Sequence, residues 1–174
     1  MIFQKDSVEK ILNKTKVQTR RLVKEGDIET ILDNEIVTVA HRRALGKWRM
    51  KWQVGRDYCV SFGRGKPGVL VCTCGACNNW IQPPLPRRFA WGCPITYLKP
   101  LRIKITSIRK ERLLDISEED AKKEGFDSVL NFLNIFLQIN YGKIPREVLQ
   151  SIGERVIAEE WNPEVWVLSF EVKK

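Results

Sequence analysis

The spacing of hydrophobic and polar residues changes period several times along the chain. From Ser7 to Lys16, Val8, Ile11, Leu12 and then Thr15 recur at helical spacing, with Asp6 or Ser7 placed as an N-cap. This predicts a short amphipathic helix ending near Lys14 to Lys16. Ile28 to Ala40 reads as strand with a turn at Asp33-Asn34, although Ile31, Leu32 and Ile36 also suit a helix. From Lys47 to Phe62 the residues Trp48, Met50, Trp52, Val54, Tyr58, Val60 and Phe62 alternate almost strictly, which predicts half-buried strands broken at Gly55. Val69 to Val71 predicts another short strand. Leu101, Ile103, Ile105 and Ile108, interleaved with Arg102, Lys104 and Thr106, form the clearest strand signal in the chain.

Helical signals dominate the region after Ile116. Ser117-Glu118-Glu119-Asp120 opens a short helix of capping-box type that Gly125 closes. A second helix is predicted from about Ser128 to Ile139, apolar at Val129, Leu130, Phe132, Leu133, Ile135 and Phe136. A third starts at Pro145, favoured in a first helical turn, and runs to about Glu159. Val165, Val167, Ser169 and Glu171 alternate with Trp166, Leu168, Phe170 and Val172 in a closing strand. The sum predicts an α+β protein. Between Asn78 and Pro100, prolines 83, 84, 86 and 94 predict an irregular excursion that looks inserted, at about 71–99. No internal repeat, low-complexity tract or linker divides the chain, so 1–174 is expected to be one domain.

Composition narrows the setting. With 174 residues, 43% of them hydrophobic, the chain can bury one sizeable core, whereas two domains would each be marginal. No apolar run is long enough for a membrane helix, and MIFQKDSVEK lacks the apolar stretch of a secretory signal. Four of the five cysteines crowd one central stretch instead of spreading as a disulfide framework, so a reducing cytoplasm is expected. The formal charge of +9 is unevenly spread. Residues 1–66 carry 15 basic and 8 acidic side chains, residues 67–110 carry 7 and none, and residues 111–174 carry 8 and 13. A basic face that attracts phosphates follows, although a basic balance also serves solubility.

Several clusters carry candidate chemistry. In Lys16-Val17-Gln18-Thr19-Arg20-Arg21, Lys16 precedes Thr19 by three residues, and Arg21 shares a strand face with Thr19. The group would converge on one anion or carbonyl. A lysine desolvated beside arginines has a lowered pKa, and its neutral amine can take a proton from threonine or water. The alternative is that these basic residues only complement a helix dipole. In Gly63-Arg64-Gly65-Lys66-Pro67-Gly68, glycines let backbone amides approach a phosphate while Arg64 and Lys66 add charge; the run also suits a plain hairpin turn. Cys74 and Cys77 have the two-residue gap with which two thiolates grip one zinc, and Cys72 and Cys93 would complete a structural, tetrahedral set; free thiols are the alternative. The single histidine, His41, rules out a multi-histidine metal site and is expected at the surface or facing RNA. Trp80 and Trp91, within the basic excursion, would stack on bases.

Four segments together carry a family resemblance: Ile11 to Arg21 (ILNKTKVQTRR), Leu101 to Leu113 (LRIKITSIRKERL), Ile116 to Phe126 (ISEEDAKKEGF) and Trp161 to Leu168 (WNPEVWVL). In order and spacing they resemble the ASCH domain family, over roughly residues 5–70 and 100–173. The resemblance implies a PUA-like small β-barrel with flanking helices and a basic cleft for RNA or a nucleoside, lined by Arg20 and Arg21 and extended by Arg64 and Lys66. Some small members are amidohydrolases that remove the acyl group from N4-acetylcytidine. Carried over, Lys16 is the base, Thr19 attacks the carbonyl or aligns water, and Glu124 protonates the departing amine, while Arg21 would bind a carboxylate, a phosphate or the developing oxyanion. Catalysis would need no cofactor. A ribonuclease would use the same basic cleft but lacks a histidine pair. The family usually has a glycine before the lysine segment; Asn13 stands there, and asparagine tolerates the left-handed conformation.

Overall fold

A computed structural model describes residues 1–3, 5–42, 46–62, 70–72, 81–82, 98–149 and 160–173. In chain order the strands and helices are β1 (Ile2–Phe3), α1 (Lys5–Leu12), β2 (Gln18–Leu22), β3 (Asp27–Leu32), β4 (Glu35–Arg42), β5 (Trp48–Gln53), β6 (Asp57–Cys59), β7 (Ser61–Phe62), β8 (Leu70–Cys72), β9 (Ile81–Gln82), β10 (Leu98–Pro100), β11 (Arg102–Arg112), α2 (Glu118–Lys123), α3 (Val129–Asn140), α4 (Arg146–Leu149) and β12 (Glu164–Lys173). The fold is mixed α+β, as the sequence predicts.

The central sheet has the order β2-β12-β11-β6 with every neighbour antiparallel, and a second antiparallel sheet runs β3-β4-β5. Two smaller pairings accompany them, β1 with β7 and β10-β8-β9. Among the described residues no strand order closes on itself. Val165 through Leu168 are all buried, because β12 is covered on both faces. On one face, Val165 and Val167 pack with Leu113, Ala121, Phe132 and Phe136 from the helical side. On the other, Trp166 and Leu168 meet Val39, Ile105 and Ile108, while Phe170 packs with Phe3, Val8, Ile11 and Ile103. Helices α2 and α3 therefore form one layer, the central sheet the next, and the second sheet with α1 the third.

Local chemistry explains most boundaries. The β3–β4 turn places Asp33 and Asn34 at φ 50° and 62°, the paired left-handed conformation of a type I′ hairpin, and this settles Ile28 to Ala40 as strand and not helix. The alternation after Lys47 breaks at Gly55 (φ 81°), as expected. Ser117 and Ser128 cap α2 and α3 by accepting from the Asp120 and Asn131 amides.

Three expectations change. Helix α1 stops at Leu12, short of Lys14 to Lys16, because Lys14 turns left-handed at φ 60°. It is Lys14, and not Asn13, that takes the left-handed position. The excursion from Asn78 to Pro100 contains regular structure: β9 and β10 flank β8 in register Val71 with Ile81 and Leu98 with Cys72. Of the third helix, Arg146–Leu149 is described; the predicted continuation to Glu159 lies outside the described residues. No helix among the described residues is long and apolar enough to cross a membrane.

Candidate functional site

The turn after α1 and the end of α2 are built against each other. The Thr15 and Lys16 amides both donate to the Lys10 carbonyl, at 2.9 and 3.0 Å, and fold the chain back at Lys14. Val17 then fastens two elements: its amide donates to Lys123 O (2.8 Å) and its carbonyl accepts from the Phe170 amide (2.9 Å). Helix α2 closes with the Gly125 amide on Lys122 O (2.8 Å) and the Phe126 amide on Ala121 O (2.9 Å), the double bond pattern of a Schellman cap. Gly125 sits at φ +83°, and a Cβ there would lie 2.9 Å from Lys10 Cδ and 3.3 Å from Lys16 Cβ. Only glycine gives this turn and lets α1 approach so closely. Lys10 Nζ seals the contact by donating to Gly125 O at 2.5 Å.

Lys16 fills the space so created. Its ammonium donates to the Glu124 carboxylate at 2.6 Å and to the Glu124 carbonyl at 2.8 Å, and both residues are buried. Lys16 therefore caps the C-terminus of α2, a helix distant in sequence: the helix-dipole alternative has the physics right but names the wrong helix. Burial pushes the Lys16 amine below its ordinary 10.5, Glu124 opposes that shift, and the positive charges of Arg21 and Lys10 add to it. The Lys16 cation also lies 5.9 Å from the Phe126 ring centroid.

Strand β2 sends its side chains to both sides. Arg20 points inward with no exposed side-chain surface. It donates to Glu111 through Nε and one terminal nitrogen (2.8 and 2.6 Å), to Asp120 (2.7 Å), and from its other terminal nitrogen to Gln18 (3.2 Å) and Glu124 (3.4 Å). Arg109 closes the network from outside, bonding Glu111 at 3.0 Å and Asp120. Arg20 thus orients Glu124 from within, in place of the RNA contact expected of it. Thr19 and Arg21 share the other face of β2. Arg21 lies over the Phe3 ring, 5.4 Å from its centroid, and its charge acts on both Lys16 and Glu124. Burial pushes the Arg21 guanidinium below its ordinary value, against the pull of Glu124. Thr19 is buried, and its hydroxyl has no hydrogen-bond partner among the described residues.

Of the residues singled out in the sequence, Lys16 and Glu124 meet directly and Arg21 couples to them through charge. Arg64, Lys66, Cys74, Cys77, Cys93, Trp80 and Trp91 lie outside the described residues, and Cys72 is placed in β8. His41 keeps 32% of its side chain exposed, in line with the surface position expected, while its Nδ1 lies 2.9 Å from the buried Asp27 carboxylate. Sequence reasoning missed Gln18, Glu111 and Asp120, the partners of Arg20. Their signal is faint: a charged residue at a strand position whose neighbours are all buried needs carboxylates, and the acidic first turn of α2 supplies one. Compared with protein families, curated proteins and solved structures, the chain matches none. The arrangement holds an amine and a carboxylate at proton-transfer distance, with a hydroxyl and a guanidinium on the adjoining strand.

Proposed function

We propose that the protein binds RNA or a nucleoside at the site built on Lys16, Thr19, Arg21 and Glu124. The observation that carries this reading is the buried Lys16–Glu124 pair at 2.6 Å. Burying an ion pair gains little stability over well-packed apolar residues, and perturbed titratable groups gather at functional sites. The charge of +9 supports an anionic partner. The likeness to the ASCH family adds the same expectation, together with a PUA-like barrel. Binding of a short oligoribonucleotide that weakens as salt rises supports the reading; binding that is absent or insensitive to salt overturns it.

A second reading, an amidohydrolase acting on N4-acetylcytidine or a related acylated nucleoside, is favoured by the lowered basicity of Lys16 and by the buried Thr19 on the adjoining strand. The Lys16 amine takes a proton as water, aligned by Thr19, adds to the acyl carbonyl. That proton crosses to Glu124 and is delivered to the exocyclic nitrogen as the C–N bond breaks, leaving cytidine and acetate. Arg21 faces the developing oxyanion. Release of cytidine by wild-type protein, lost in Thr19→Val and Glu124→Gln, supports the step; no release by wild type removes it for this substrate. The cysteine set is read in the same way, as a structural zinc held by Cys72, Cys74, Cys77 and Cys93. Bound zinc with only Cys59 open to thiol reagents supports it, and metal-free protein with five reactive thiols rejects it.

A further inference from the structure

A second constellation sits on the other sheet, away from the Lys16–Glu124 pair. Asp27, at the start of β3, has a fully buried carboxylate. Lys51 Nζ (2.5 Å), Trp166 Nε1 (3.0 Å) and the Lys24 amide (3.1 Å) donate to one oxygen, and His41 Nδ1 lies 2.9 Å from the other. Lys51 reaches it because β5 carries a bulge. Val39 pairs with Trp52 and Ala40 with Met50, so Lys51 has no partner opposite it and turns out of the ladder. Its ammonium lies over the Trp52 ring, 4.4 Å from the centroid.

Around this anchor opens a cleft of about 280 Å³ lined by Lys24, His41, Arg49, Met50, Lys51 and Trp52. Its charge is not balanced. Asp27 is the carboxylate at its base, and its oxygens are already engaged by these four groups. Neither the Lys24 ammonium nor the Arg49 guanidinium has a carboxylate partner among the described residues, and the Lys24 charge acts repulsively on Lys51. Three cations converge with one saturated carboxylate between them, next to the apolar surfaces of Met50 and Trp52.

We infer that this cleft is a second ligand site, taking a phosphate ester whose oxygens meet Lys24, Arg49 and Lys51 while its sugar or base rests on Met50 and Trp52. Arg49 offers the planar fork that suits phosphate, and Lys24 and Lys51 act as point charges. The phosphate comes either from an RNA backbone or from a free nucleotide. The site needs none of the residues assigned to the Lys16 pocket, so either can fail without the other.

Titration of the full chain with inorganic phosphate, cytidine 5′-monophosphate and a short single-stranded oligoribonucleotide tests it. Both Lys24 and Arg49 are exposed, so Lys24→Ala/Arg49→Ala should melt with wild type. The double variant is expected to bind the oligonucleotide about tenfold more weakly, with a log–log salt slope lower by about 1.4, since each lost contact to a single strand removes about 0.7. Leu130→Ala, exposed on α3 and part of neither site, should leave that slope unchanged. Binding of the monophosphate, lost in the double variant, assigns the cleft to a free nucleotide; binding of the oligonucleotide alone, with the lowered slope, assigns it to RNA. A double variant that matches wild type on all three probes, or a wild type that binds none of them, overturns the inference.

Discussion

Removing Glu124 alone strands the Lys16 charge in the interior, whereas Glu124 without Lys16 still has Arg20 at 3.4 Å. Glu124→Ala should cost about 3–5 kcal/mol, while the paired change Lys16→Met/Glu124→Leu should restore most of that loss, because Arg20 keeps Glu111 and Asp120. Urea midpoints of the two variants check this. The pH dependence has a definite sign. Burial lowers the Lys16 pKa in the folded state, so between that lowered value and the ordinary 10.5 the unfolded chain binds more protons, and stability rises with pH across this window. Lys16→Met should flatten that rise. Asp27 behaves oppositely in charge but alike in slope. Burial pushes its carboxyl up, but the hydrogen bonds from Lys51, Trp166 and the Lys24 amide outweigh this and hold it below 3.8. Between that lowered value and 3.8 the unfolded chain again binds more protons, so this contribution is present above 3.8 and is lost as pH falls through the folded value. Asp27→Asn should weaken the acid limb of a urea-midpoint profile relative to wild type.

At the scale of elements, α2 and the α1–β2 turn form one device whose pivot is Gly125. The sequence already marks Gly125 as a helix stop and Ser117 as a start, since caps and left-handed stops are written in residue type. The partner of that stop could not be read there. Lys16 lies more than a hundred residues from Glu124 along the chain, and helical spacing carried α1 through Lys14, whose left-handed turn comes from hydrogen bonds back to Lys10. Arg20 misled for a related reason: two adjacent arginines look alike in sequence, yet strand geometry sends one to buried carboxylates and the other over Phe3. The Asp27 cleft was hidden by the alternation of Trp48, Met50 and Trp52, which reads as regular strand and gives no sign of the bulge at Lys51. Gly125→Ala tests the pivot. Holding alanine in the left-handed region costs about 1–2 kcal/mol, and the new methyl meets Lys10 and Lys16 besides. Ser117→Ala, losing only the cap at the other end of α2, should cost about 1 kcal/mol. Ligand binding at the site proposed around Lys16 should therefore fall much further in Gly125→Ala than in Ser117→Ala when each is compared at equal folded fraction.

The whole molecule is joined through β12. Its two neighbours are β2, which carries Thr19, Arg20 and Arg21, and β11, which carries Glu111; its side chains enter all three clusters of the core. Trp166 adds a further link, since it pairs across the sheet with Arg21 while its indole donates to Asp27 at the second cleft. Weakening β12 should then loosen every layer together, whereas weakening a sheet edge should stay local. Leu168 is fully buried between β2 and β11, so Leu168→Ala should cost about 2–5 kcal/mol. Ile31, on the edge strand β3 and 57% exposed, should cost little when changed to alanine. Native-state amide exchange distinguishes a molecule held as one unit from separate layers. If β12 joins them, Leu168→Ala lowers the protection of Val39 in the second sheet and of Phe132 in α3 by the same factor, the one set by the change in global stability. Loss of protection confined to one layer would mean that the two sites belong to separately unfolding units, and that β12 supports each without coupling them.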